Sequence, residues 1–217
     1  QFDYYGTFVI EEKYGFNKMT LGTFISDLIK GTIVMGIIGG IILAAILSMI
    51  YFSPTYWWLF SFFIFIGFQL LIMFIFPTFI APLFNKFTPL PEGEIKETIL
   101  KLLEKVGFRA SGLFIMDASK RSSHGNAYFT GFGKNKRIVF FDTLIERLDV
   151  QEIEAVLAHE LGHMKLNHIK KMIVKFFIVS FFAFCLLGFL IRYAPFLNGH
   201  GLFLATPHSS LALLMLV

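Results

Sequence analysis

Three of the six histidines in this 217-residue chain, together with one glutamate, fall within ten residues of the stretch A-V-L-A-H-E-L-G-H-M-K-L-N-H, residues 155–168. A helix turns about 100° per residue, so His159 and His163 lie about 40° apart on one face, one turn apart along the axis, where both imidazoles reach a single ion. Glu160 projects within about 100° of the first and about 60° of the second, near enough to poise a water on that ion without binding it. A metal that acidifies a water, beside a carboxylate that takes the proton and returns it to a leaving amine, is the equipment of peptide-bond hydrolysis. H-E-x-x-H on an amphipathic helix therefore predicts a zinc hydrolase, with His159 and His163 as ligands and Glu160 as general base. The competing reading is a pair of histidines that merely satisfies surface polarity.

Extended as a straight helix, the same stretch places His168 about 140° from His163 and about 180° from His159, which excludes it from the same ion. It is left for a lipid head group, a carbonyl near the membrane or a channel wall. The longer pattern H-E-x-x-H-x-x-G-x-x-H also fails, since Leu166 and Ile169 stand where it needs Gly and His. A catalytic zinc wants a third protein ligand, and after Glu160 the chain has no Asp or Glu. Asp142 and Glu146 are of the right type but have no supporting spacing. The third ligand is expected beyond Val217.

These side chains need elements to hold them. Asp149 followed by Glu152 forms a capping-box-like start, and Ile153, Val156, Leu157 and Leu161 continue a helix through the histidines. Upstream, Ile95, Ile99, Leu102, Leu103 and Val106 recur at helical spacing after a start near Glu92. Between the two helices, S-G-L-F-I-M-D, N-A-Y-F-T-G-F-G and R-I-V-F-F-D read as three short strands, the last two joined by a turn around Gly133 to Lys136. R-S-S-H, Arg121 to His124, reads as a solvated polar loop.

Composition excludes an ordinary soluble domain: 56% of residues are hydrophobic, 18% aromatic, and only 16% charged, against about a quarter charged in soluble domains. Thr32 to Phe52 and Tyr56 to Phe76 are each long enough to cross a bilayer, which takes about 20 helical residues. A third run, Phe176 to Ile191, becomes long enough with Met172 to Val174, Lys175 snorkelling to the interface. Three spans put residues 1–31 and 77–171 on one side. All 19 Lys and Arg lie on that side except Lys175 and Arg192, so the positive-inside rule makes it cytosolic, and His200 and His208 fall on the opposite side. The formal charge of +4 then needs no nucleic-acid partner. Cys185, the single cysteine, reads as a small apolar packing residue within the third span.

The fold class expected is a mainly α membrane protein: a multi-span helical bundle with a cytosolic zincin-like helix and a small β-sheet insertion. Residues 1–31 form a cytosolic N-terminal segment, 32–80 two transmembrane helices, and 81–171 a cytosolic metalloprotease segment. A transmembrane helix at 172–191, a non-cytosolic loop at 192–210 and the start of a truncated helix at 211–217 complete it. Gln1 and the apolar ending both read as cuts through a larger protein, and Q-F-D-Y-Y lacks the order of a signal peptide.

Taken together, E-E-K-Y-G-F-N-K-M-T, P-L-F-N-K-F-T-P-L, S-K-R-S-S-H-G-N-A-Y-F-T-G-F-G-K-N-K-R-I-V-F-F-D-T-L and L-A-H-E-L-G-H-M-K-L-N-H resemble the type I CAAX prenyl proteases over about Glu11 to Lys171. The resemblance implies a membrane enclosure around a water-filled chamber, Zn2+ at its cytosolic end, and a peptide or protein substrate from which three residues are removed after a prenylated cysteine. It also implies that Asn126 binds or orients substrate near the metal, as a strand edge lending main-chain hydrogen bonds would. Asn126 as a turn residue after Gly125 is the alternative. The family's later glutamate ligand, and the histidine and arginine that steady its tetrahedral intermediate, have no counterparts here. Two further functional readings stand beside this one: a membrane quality-control protease of the heat-shock type without prenyl specificity, and a non-enzymatic scaffold with structural metal.

Overall fold

The computed structural model describes residues 2–131, 136–199 and 201. They divide into two compact units, 1–31 with 73–168, and 32–72 with 169–217. The expected turn at Gly133 and the helix start at 211–217 lie outside the described residues, as do His200 and His208.

The first unit opens with α1 (Phe2–Tyr5) and a π-turn, Gly6–Glu11, and continues through a short loop into the start of α2 (Leu21–Phe52). Thr20 caps α2, its Oγ1 accepting the Thr23 N–H at 3.1 Å, which satisfies one of the orphan donors of the first turn. The helix thus starts ahead of the apolar run at Thr32. After α3 (Trp57–Ile75) the chain stays helical in a π-turn and a 3-10 turn through Leu83. Pro77 and Pro82 sit at the starts of those turns, where a missing N–H costs least.

A four-stranded sheet follows, in the order β1-β2-β4-β3: β1 (Phe87–Pro89), β2 (Gly112–Met116), β3 (Ala127–Thr130) and β4 (Arg137–Phe141). The three strands expected from sequence are present, and β1 is an addition. It is three residues long, carries Pro89 and pairs antiparallel with β2 alone, an edge position that tolerates proline. β2 runs parallel to β4, and β3 antiparallel to β4 with Ala127 opposite Phe140. The other edge of the sheet is therefore β3.

Two helices cover the sheet. α4 (Glu94–Lys105) buries Ile99 and Leu103. α5 (Asp142–Arg147) leads into α6 (Val150–Lys165), which buries Ile153, Leu157 and Leu161. With Ile138, Phe140 and Ala127 these form one core; Leu157, Ile138 and Phe140 have no exposed surface at all. At about 1.5–3 kcal/mol per buried side chain, this core is what fixes the orientation of α6.

In the second unit, Trp57, Phe184, Ile46 and Ile50 pack together. Gly188 on α7 (His168–Leu190) lies under Trp58: a Cβ there would stand 2.7 Å from Trp58 Cγ, so only glycine fits without moving the indole. Three helical stretches, Leu21–Phe52, Trp57–Leu83 and His168–Leu190, are long and apolar enough to cross a membrane. Only 11%, 6% and 17% of their most apolar windows is buried among the described residues, and large apolar side chains such as Met35, Phe63 and Phe182 are exposed.

Candidate metal centre

The site is built on α6. Its start is a reciprocal capping box: the Glu152 N–H donates to Asp149 Oδ1 at 2.8 Å, and the Asp149 N–H donates to Glu152 Oε2 at 3.0 Å, an arrangement worth about 1 kcal/mol. With Ile153, Leu157 and Leu161 turned into the core, His159 and His163 are exposed.

Their Nε2 atoms stand 3.2 Å apart, the rings nearly perpendicular at 86° with centroids 4.8 Å apart. Two imidazole nitrogens each about 2.0–2.1 Å from one ion at a tetrahedral angle would be separated by about 3.3 Å, so the pair fits a shared ion. Glu160 is partly buried and its carboxylate has no hydrogen-bond partner among the described residues.

No group of three His, Cys, Asp or Glu side chains able to hold a metal occurs among the described residues. Asp142 is engaged elsewhere, its Oδ1 accepting the Ser119 N–H at 2.9 Å and its own neighbour Thr143 N–H at 2.8 Å, and its Oδ2 accepting the Ser119 hydroxyl. Glu146 is exposed on α5.

His168 departs from expectation. The straight helix does not continue: Asn167, with φ 55°, is the one non-glycine residue of positive φ among the described residues. This left-handed residue, a conformation that asparagine tolerates, ends α6 and starts α7 at His168. The bend brings His168 Nδ1 to 2.8 Å from His163 Nδ1, so the 140° separation does not apply.

Asn126 immediately precedes the edge strand β3, which packs against α6. Its carbonyl accepts the Phe141 N–H at 2.9 Å, its side-chain Oδ1 accepts the Ala127 N–H at 2.8 Å, and the residue is exposed. Gly125 before it approaches α5 so closely that a Cβ would lie 3.3 Å from Leu144 Cα. In β3, burial pushes the Tyr128 phenol above its ordinary pKa, and its hydroxyl points to Met116 Sδ at 3.7 Å.

The R-S-S-H loop is not merely solvated. Arg121 donates from Nε and Nη2 to both carboxylate oxygens of Asp27 at 2.8 and 3.0 Å, from Nη1 to Asn85 Oδ1 at 2.9 Å, and from Nη2 to the Phe84 carbonyl at 2.6 Å. Ser122 bridges to Asn17, Ser123 is buried with its N–H on the Phe16 carbonyl, and the His124 ring stacks on Phe16 at 4.2 Å. Arg121 and Asp27 are 94 residues apart in sequence, and Ser122 and Phe16 106, beyond the reach of local sequence. Nearby, burial works to raise the Asp117 carboxyl, but the Lys120 ammonium and the Lys86 N–H bound to it outweigh that and hold its pKa below the usual aspartate value.

An open groove of about 830 Å³ between α4 and β2 that includes Lys96, Leu100, Phe108 and Arg109 has no wall from α6 or β3.

Residues 1–86 match the family model described as CAAX prenyl protease N-terminal, five membrane helices, and residues 89–217 match peptidase family M48. The chain is 47% identical over 203 residues to CAAX prenyl protease 1 of Saccharomyces cerevisiae, covering 93% of this chain and 45% of that protein. It is 51% identical over 171 residues to the CAAX prenyl protease 1 homolog of Arabidopsis thaliana, covering 76% of this chain and 39% of that one. The crystal structure of S. mikatae Ste24p superposes with a TM-score of 0.85 at 45% identity, over 91% of this chain and 46% of that one. The chain thus spans less than half the length of these relatives.

Proposed function

Because the chain belongs to peptidase family M48, in the branch whose N-terminal part is the membrane-helix domain of CAAX prenyl proteases, and is an integral membrane protein, we propose that it forms the catalytic helix of a zinc endopeptidase. The substrates are proteins ending in a CAAX sequence, whose prenylated cysteine marks the bond to be cut. The observation that carries this reading is the pair of Nε2 atoms 3.2 Å apart on α6, with Glu160 on the same helix directly after His159.

His159 and His163 would hold the ion, their Nε2 atoms facing each other at 3.2 Å. When bound, zinc supplies a Lewis acid that lowers the pKa of a water and polarises the scissile carbonyl. Glu160 takes a proton from the attacking water as its oxygen bonds to the carbonyl carbon. When the C–N bond breaks, Glu160 returns that proton to the departing nitrogen, so the carboxylate ends as it began. The third ligand that such an ion needs is not among the described residues, so tests belong to the full-length protein.

The open edge of β3 lies beside this helix and offers main-chain groups to an extended peptide, which binds it irrespective of side-chain identity. Asn126, exposed at the start of that strand, orients the substrate near the scissile bond. The basic residues of 77–171 support a cytosolic position for this apparatus, the side on which prenylated C-termini are met.

Mass spectrometry of a farnesylated CAAX peptide and its unprenylated twin, incubated with the full-length protein, tests the reading. Loss of the last three residues from the farnesylated peptide alone is expected. Equal cutting of both peptides, or cuts scattered along them, would replace prenyl processing with general membrane proteolysis, and no cutting would refute the enzyme.

A further inference from the structure

We propose that His168 is a positioning residue for His163, fixing the tautomer in which His163 Nε2 is free to bind metal; this rests on the zinc reading above. His163 uses opposite ring nitrogens toward its two neighbours. Its Nε2 faces His159 Nε2 at 3.2 Å, and its Nδ1 faces His168 Nδ1 at 2.8 Å. A neutral imidazole carries one N–H, so the contact between the two Nδ1 atoms has two solutions. If His168 donates, His163 keeps its proton on Nε2 and cannot ligate. If His163 donates, its Nε2 lone pair faces His159, and His168 carries its own proton on Nε2.

The second arrangement couples ligation to a hydrogen bond outside the metal's own ligand set. Partners of this kind orient the ring, raise its basicity and strengthen metal binding. The opposed nitrogens also exclude His168 from the ion shared by His159 and His163, since it meets the far side of the His163 ring. Its placement depends on the left-handed Asn167, which folds the first residue of α7 back over the end of α6. His168 is partly buried whereas His163 is exposed, so the partner is more sheltered than the ligand it orients.

The test is zinc affinity of the full-length protein by chelator competition, alongside the melting temperature of the metal-free form. Wild type should bind stoichiometric zinc. His168→Ala should weaken binding by about 10–100-fold with an unchanged metal-free melting temperature, and His168→Gln, which keeps an acceptor oxygen, should recover most of the loss. Wild-type affinity in the Ala variant would overturn the proposal. So would failure of Gln to recover any affinity, or a metal-free melting temperature that falls in step with affinity in both variants, which would make His168 merely structural. Wild type without zinc would bring down the metal reading itself, a result distinct from any of these.

Discussion

Glu160→Gln in the full-length protein should lower peptide hydrolysis by about 10²–10⁴-fold, equivalent to about 3–5 kcal/mol of barrier, while zinc content stays at the wild-type level. Gln keeps the size and shape of the side chain but cannot accept the water's proton. The change should be silent structurally for two reasons. The Glu160 carboxylate has no partner among the described residues, so none is orphaned by its loss. The orientation of α6 is set by Ile153, Leu157 and Leu161 in the core and by the Asp149–Glu152 cap. Cleavage rates by mass spectrometry and metal content by elemental analysis check both halves. A variant that cuts at the wild-type rate contradicts the assignment of the base, and one that loses its zinc makes Glu160 a ligand instead.

The largest effect on stability is expected at Arg121. Arg121→Met should destabilise the protein by about 3 kcal/mol, the scale for removing one partner of a desolvated ion pair. The side chains of Arg121 and Asp27 are 21% and 19% exposed, and the substitution strands Asp27, Asn85 Oδ1 and the Phe84 carbonyl together. Arg121→Lys should recover little, because an ammonium is a point charge that cannot reproduce the planar fork. Pairing Arg121→Met with Asp27→Leu should cost clearly less than the sum of the two single changes. Denaturant titration in detergent measures all four proteins. Additive losses would mean that the ion pair contributes nothing beyond its separate side chains.

Much of this was legible in the sequence wherever the determinants were local. The cap at Asp149, the buried face of α6 and the i,i+4 pair His159/His163 depend on residues within one or two turns, and helical periodicity suffices to place them. The apolar runs announced the long helices for the same reason. β1 escaped notice because three residues ending in Pro89 carry no periodic signal and exist as a strand only through β2. His168 was misplaced because extrapolating a helix assumes no left-handed residue, and Asn167 supplies one. The RSSH loop looked merely solvated because its partners, Asp27, Asn85 and Phe16, are contributed by other parts of the chain. Local spacing finds the histidine pair on one helix, and only long-range contacts show what the RSSH loop is tied to.

The central claim is that His159 and His163 share one zinc. It is tested most directly by an anomalous difference map, recorded on either side of the zinc absorption edge from crystals of the full-length protein. The account predicts a single peak between His159 Nε2 and His163 Nε2, with one coordination position left to water and Glu160 beside it without ligating. No peak at this position, or an ion enclosed by four protein ligands with no water, would contradict it.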